Sequence, residues 1–284
     1  MLREEMGLGV RWRAAAAGGL LALALQACGL TPAQKAATCT FGQATVELAG
    51  LAQREFIDSR DDVIRMNAAR LRLKDPAFHG QELDVPFTLE RVEPRVAAMQ
   101  ALGRFGQLLT TLSTSSEEGE LRAAADAFVA SASAASGVTL SEQARTGITS
   151  AMEFACSFFV EKARKEAVVE VVTSMEPTLL QIMDLLDTSF DPEGDEWTLG
   201  YDVTVAAVEG LGDPDAKAEA QLGKQRASEA GAHILAALAR MRDATRNLRY
   251  VLQSDGVTSD EILAFVAEVE QARSIVDILR SAQD

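Results

Sequence analysis

The side chains that could do covalent or metal chemistry are few: three cysteines, Cys28, Cys39 and Cys156, and two histidines, His79 and His233. Neither histidine lies in a His-Glu-x-x-His zinc motif, and the sequence has no Gly-x-Ser-x-Gly nucleophile turn, phosphate-binding loop or Cys-x-x-Cys-His haem motif. We therefore predict no enzymatic activity, no cofactor and no metal site. An active site assembled by the fold without any motif is the alternative.

Cys28 ends a short apolar run near the start of the chain. Arg11 and Arg13 precede residues 14–25, which are 12 uncharged residues. A membrane-spanning helix needs about 20 apolar residues, so this run has the length of a secretory signal peptide instead. Its last four residues, Leu-Gln-Ala-Cys at 25–28, resemble the lipobox of bacterial lipoproteins, whose cysteine carries acyl chains such as palmitate. An ordinary secretory signal with an uninvolved Cys28 is the alternative.

The resemblance implies that residues 1–27 are a cleaved signal peptide and that Cys28 is lipidated. Residues 28–37 would then form a tether, with the acyl chains as the contact with the membrane. Because Gly29 rather than aspartate follows the cysteine, we expect the anchor in the outer membrane, facing the periplasm.

Two cysteines remain once Cys28 carries lipid. In an oxidising compartment an even pair is commonly a disulfide, so we predict a bond between Cys39 and Cys156. Predicted helix lengths return Cys156 to the level of Cys39 if the first and fourth helices are antiparallel neighbours. Two buried free thiols are the alternative.

The balance of charge is strongly acidic. The net charge is −15, and it becomes −16 when residues 1–27 are removed with their three arginines and two glutamates. Such a surface repels nucleic acids, so we expect no nucleic-acid partner. Against this trend, four arginines cluster in one predicted helix: Arg240, Arg242, Arg246 and Arg249. They are a candidate anion-binding or partner face, with ordinary exposed helix charges as the alternative.

The spacing of apolar residues predicts helices throughout. One stripe recurs every three or four residues from Phe41 to Leu73, which predicts a helix about 50 Å long. A helix-start pattern at Thr31 and Pro32 precedes it. Further helices are predicted at about 89–112, 115–137, 139–186 with a break or bend at Pro177, 197–208, 214–252 and 258–278. We therefore predict an all-α fold: an elongated bundle of long antiparallel helices over 38–284, with a candidate subdivision at an acidic loop near 190–198.

Together these features favour a non-enzymatic helical scaffold, lipid-anchored in the bacterial envelope, with a protein of the envelope as its partner. The alternative is a carrier that binds a small apolar or anionic ligand between its helices. A pocket of several hundred Å³ between helices would favour the carrier. An exposed apolar patch over a fully packed interior would favour the scaffold.

Overall fold

Seven long helices make up most of the part of the chain that the structure describes. This computed structural model describes residues 29–79, 82–115, 117–135, 146, 148, 161–190, 196–254 and 259–281, and no strand occurs among them. The helices are α1 (Pro32–Arg72), α2 (Leu89–Thr114), α3 (Glu118–Ala134), α4 (Glu161–Phe190), α5 (Glu196–Glu209), α6 (Pro214–Gln253) and α7 (Asp260–Ser281). The predicted all-α class is confirmed. No helix within these ranges combines the length and apolar character needed to cross a membrane.

Helix α1 begins where its sequence predicts. The Thr31 hydroxyl accepts a hydrogen bond from the Gln34 backbone N–H, and the Gln34 side chain accepts one from the Thr31 backbone N–H. Gln34 is buried, and its side-chain NH₂ donates to the Val251 carbonyl at 2.9 Å. Helix α1 therefore begins inside the segment 28–37, for which a tether is predicted, and α6 holds this start in place.

Pairs of contacting residues give the helix directions. Gln34 and Glu55 of α1 meet Val251 and Arg226 of α6 respectively, so the two helices are antiparallel. Helices α4 and α6 are also antiparallel, because Glu176 contacts Arg249 and Asp184 contacts Arg242. Helix α4 therefore runs parallel to α1.

Helix α7 also runs parallel to α1. Phe41 packs on Phe265 with ring centroids 5.6 Å apart, and Asp58 binds Arg280 further along both helices. The predicted bundle thus combines antiparallel neighbours with parallel pairs.

Helices α1 and α2 meet at an unusually close crossing, which we call the glycine seam and define by Gly42 and Gly106. A Cβ atom added at Gly42 would lie 2.6 Å from the Gly106 carbonyl oxygen, and one at Gly106 would lie 2.5 Å from the Gly42 carbonyl oxygen. Only residues without a side chain allow the two backbones to approach so closely.

Of the break or bend predicted at Pro177, the break does not occur. Helix α4 continues through Pro177, although proline removes one helical hydrogen bond. Leu179 and Ile182, just beyond it, are completely buried, and tertiary packing of this kind favours continuing the helix. The third helix, predicted from about 115, begins later: Glu117 is the N-cap residue of α3, and the Ser115 hydroxyl donates to Glu120.

Other boundaries match the prediction. Helix α2 begins at Leu89, the ambiguous segment at 197–208 is helical as α5, and the Asp213 carboxylate caps α6 by accepting a hydrogen bond from the Ala216 N–H at 2.8 Å. The predicted helix starts at Thr139 and Thr258 lie outside the described residues, as does most of the acidic loop.

Candidate ligand-binding site

Three acidic residues of α1 lie on one face of the helix. Glu55, Asp58 and Asp62 are spaced three and four residues apart, which brings them close together on a helix. Glu55 is 1% exposed and Asp62 is 5% exposed, whereas Asp58 is half-buried. Because burying an ionised carboxylate is costly, such residues require charged or hydrogen-bonding partners.

Arg226 of α6 supplies the main partner. Its guanidinium donates through Nη1 to Glu55 Oε2 at 2.8 Å and through Nη2 to Asp62 Oδ2 at 2.7 Å, and its side chain is 4% exposed. One buried cation therefore binds two buried carboxylates, a planar two-pronged geometry that suits arginine.

Tyr201 of α5 completes this group, which we call the charged cluster: Glu55, Asp58, Asp62, Tyr201 and Arg226. The Tyr201 hydroxyl donates to Asp62 Oδ2 at 3.0 Å. Gly223 of α6 makes the contact possible, because a Cβ atom there would lie 2.7 Å from the Tyr201 hydroxyl oxygen.

The segment before α2 holds Tyr201 in position. The Asn67 side chain donates to the carbonyls of Leu83 and Val85, both at 2.8 Å, and so fixes this segment on α1. Phe87, which is 1% exposed, then packs on the Tyr201 ring with centroids 6.2 Å apart.

Two further arginines surround the charged cluster. Arg280 of α7 binds Asp58, and Arg65 of α1 binds Asp62. The cluster therefore joins α1, α5, α6 and α7 through side chains distant in sequence.

Burial and charge together determine the protonation of these groups. Burial raises the pKa of Glu55 to about 7, although the positive charge of Arg226 opposes this rise. Burial also raises the pKa of Tyr201, with the neighbouring Asp62 charge adding to it. Burial by itself lowers the pKa of Arg226, but the charges of Glu55 and Asp62 raise it above its usual range. Glu55 can therefore exchange a proton near neutral pH.

A cavity of about 400 Å³ opens beside the charged cluster, between α1, α4, α5 and α6. Glu55 lies among its lining residues, and Lys224 and Asp202 pair at 3.1 Å with both side chains largely exposed. Much of the remaining wall is apolar, from Phe190, Ala227, Ala232 and Leu235. This volume falls in the range of pockets that take small molecules.

The cavity offers polar and charged groups that can contact a ligand. Its described lining residues offer the Glu55 carboxylate, the Tyr201 phenol, the Lys224 ammonium and serine hydroxyls, beside an apolar wall. Among the described residues, no three histidine, cysteine, aspartate or glutamate side chains are arranged to hold a metal ion.

A second, shallower depression lies between α1, α2 and α3. It has a volume of about 820 Å³, and its lining includes Ile57 and Leu89, which are 42% and 54% exposed. This groove is more open to solvent than the cavity beside Glu55.

The four arginines predicted as an anion or partner face are not gathered at the cavity. Arg242 binds Asp184 and Asp187 of α4, and its hydrogen bond to Asp187 raises its pKa. Arg249 binds Glu176 of α4 at 3.2 Å. Arg246 pairs with Asp243 within α6, and Arg240 is exposed. Two of the four therefore join α4 to α6, and binding of an external partner by this face stays a prediction.

The predicted cysteine sites are largely outside the described residues. Cys28 and Cys156 are not described, and Cys39 is half-buried with a free thiol. The direction of α4, parallel to α1, differs from the antiparallel arrangement on which the length argument for the disulfide depends. The bond between Cys39 and Cys156 stays a prediction.

The charged cluster was not predicted from the sequence. Ser59 is a polar residue at a position of the apolar stripe, and its hydroxyl donates to Glu55 Oε1 at 3.2 Å. Acids at helical spacing beside that residue were the available signal, but nothing in the sequence connects them with Arg226.

No family model matches this chain, and no curated protein or solved structure is significantly similar to it.

Proposed function

We propose that this protein is a lipid-anchored binding protein of the bacterial envelope that holds a small ligand between its helices. The cavity of about 400 Å³ between α1, α4, α5 and α6 is the observation that carries the proposal. It combines an apolar wall with a few polar groups, the composition typical of small-molecule sites. The protein would act by binding and release, without covalent chemistry.

The anchor would be Cys28, acylated after removal of residues 1–27, and it would hold the helical domain at the outer membrane on the periplasmic side. The lipobox-like sequence at 25–28 supports this part of the proposal. Several acyl chains make membrane binding nearly irreversible, because each buried CH₂ contributes about 0.8 kcal/mol.

The anchor is tested by fractionating cells that express Cys28→Ser. We expect the variant in the soluble periplasmic fraction or as an uncleaved precursor, whereas the unchanged chain stays with the membrane. A mature-length variant that still fractionates with the membrane would contradict lipidation at Cys28.

The groove beside Ile57 and Leu89 favours a second function, that of a scaffold which binds another envelope protein. Exposed apolar surface of this kind is a common feature of protein contacts. The same exposed residues would remain available while a ligand occupies the cavity, because the groove is lined by α1, α2 and α3.

Native mass spectrometry of the full chain extracted from membranes separates the two functions. The carrier function predicts a small-molecule adduct on the wild-type protein that Ala227→Phe removes by filling the cavity. Ala239→Phe, at an exposed position of the same helix, is the matched control and should keep the adduct. A copurifying protein with no small-molecule adduct would favour the scaffold and contradict the carrier.

A further inference from the structure

We propose that the cavity takes a small organic monocation, an amine with an apolar body, and that Glu55 is its counter-ion. This inference rests on the proposed binding function and names the class of ligand for the same cavity. It follows from the charges around the cavity, the composition of its walls and the hydrogen bonds that Glu55 already makes.

The charged cluster holds more buried negative charge than buried positive charge. Glu55 and Asp62 share the single guanidinium of Arg226. Asp62 also accepts hydrogen bonds from Tyr201 and Arg65. Glu55 is less strongly hydrogen-bonded. Besides the bond from Arg226, its Oε1 atom accepts a longer one, of 3.2 Å, from the Ser59 hydroxyl. Glu55 is thus the least compensated of the two buried carboxylates, and it is the one that lines the cavity.

An ammonium group compensates the negative charge of Glu55, whereas an anion would add to it. It adds one positive charge beside Glu55 and donates up to three hydrogen bonds. The Lys224 ammonium at the cavity wall is already paired with Asp202. Divalent metal ions fit poorly, because no suitable group of three ligands occurs among the described residues. The apolar side chains of Phe190 and Leu235 favour a ligand with a hydrocarbon body over a metal ion.

Proton exchange at Glu55 gives the ligand class a measurable signature. The pKa of Glu55 is about 7 because of burial, and a neighbouring ammonium would lower it. Amine binding at pH 7 should therefore release a proton and become tighter as the pH rises. The charged groups that face Glu55 are Asp58, with Arg280 behind it, and Arg226; Lys224 and Asp202 complete the set at the cavity wall.

Calorimetric titration with three phenyl compounds tests the head group while the body stays constant. The full chain in detergent is titrated at pH 8 with 2-phenylethylamine, 2-phenylethanol and 3-phenylpropanoate, with blanks into detergent alone. We expect the amine to bind at least about tenfold more tightly than the alcohol, the size of one charge-assisted hydrogen bond. Ala227→Phe should abolish binding, and Ala239→Phe should preserve it.

The variant Glu55→Gln removes the charge and keeps the shape. It should weaken amine binding about 10- to 100-fold and change alcohol binding by less than about twofold. Should this variant fail to fold, the wild-type protein provides the second measurement. Its affinity for the amine should rise about tenfold from pH 6 to pH 8 as Glu55 ionises, with a binding enthalpy that depends on the buffer.

Each result leads to a separate conclusion. Alcohol or carboxylate binding as tight as amine binding, in a cavity that Ala227→Phe closes, would overturn the monocation and leave the binding function intact. Failure of all three compounds to bind would also overturn it. The native mass spectrum of the extracted protein would then decide the binding function independently.

Discussion

Helix α1 meets its neighbours in opposite ways along its two halves. At the glycine seam its backbone contacts that of α2 so closely that a single methyl group would collide with a carbonyl oxygen. About 20 Å further along, at Glu55, long charged side chains join it to α6 and a cavity opens beside them. The size and charge of the side chains therefore decide whether one continuous helix is tightly packed against its neighbours or borders a cavity.

The largest expected effect is at the centre of the charged cluster. Arg226→Met removes the shared cation and leaves two buried carboxylates without it. We expect the free energy of unfolding to fall by about 3–5 kcal/mol, measured by urea denaturation. Arg246→Met is the matched control on the same helix, because Arg246 forms an exposed pair with Asp243, and it should cost less than about 1 kcal/mol. Equal losses would show that burial does not distinguish the two arginines.

The second prediction concerns the pH dependence of the free energy of unfolding, which should come from the half of α1 that contains Glu55. Folding raises the pKa of Glu55 from 4.5 to about 7. Between these values the folded protein binds more protons than the unfolded chain, so stability falls as the pH rises. The loss should reach about 3 kcal/mol, since one pKa unit corresponds to about 1.4 kcal/mol.

The control for this prediction is Glu55→Gln, which should lack that component. Its unfolding free energy, compared with that of the wild-type protein at pH 5 and pH 8, isolates the contribution of Glu55. A difference between the two proteins that is the same at both pH values would contradict the buried, proton-exchanging state of Glu55.

The third prediction concerns the glycine seam. Gly106→Ala should lower the free energy of unfolding by about 1–3 kcal/mol, because the new methyl group would meet the Gly42 carbonyl oxygen and the Val46 side chain. Gly50→Ala, in α1 with no atom within 4 Å of its added Cβ, should instead stabilise by about 0.5–1 kcal/mol. Thermal unfolding of the two variants measures the contrast, and a stabilising Gly106→Ala would refute the close approach.

The smallest expected effect is at Ser59, next to Glu55. Ser59→Ala removes a hydroxyl that donates to Glu55 at 3.2 Å, and it should cost about 1 kcal/mol. It should also raise the pKa of Glu55 further, so that the free energy of unfolding continues to fall up to a higher pH. Ser113→Ala is the control, because the buried Ser113 hydroxyl donates to a carbonyl of its own helix. An unchanged pH profile in Ser59→Ala would show that this bond does not act on Glu55.

Much of the fold was visible in the sequence because helical periodicity is a local property. The stripe from Phe41 to Met66 is buried throughout, and the Thr31 start of α1 is where its pattern indicates. Pro177 shows where local signals fail: proline disfavours a helix interior, yet packing of the following apolar residues continues α4 through it.

The charged cluster was beyond sequence reasoning for a different reason. Glu55 and Arg226 are 171 residues apart, and each by itself resembles an ordinary surface charge on an amphipathic helix. Whether such a charged residue becomes buried depends on how α5 and α6 cross α1. Gly223 permits that crossing at Tyr201. The same problem concealed the acids of α4 that bind Arg242.

The ion pair between Asp58 and Arg280 joins residues that lie 222 positions apart, and this separation bears on when the pair can form during synthesis. Helix α1 emerges from the ribosome long before Arg226 and Arg280, so the ion pairs of its acids with these two arginines cannot form until almost the whole described chain has been synthesised. Contacts between such distant segments form slowly. A product terminated before α7 would leave Asp58 without Arg280 and the apolar face of α1 without Phe265.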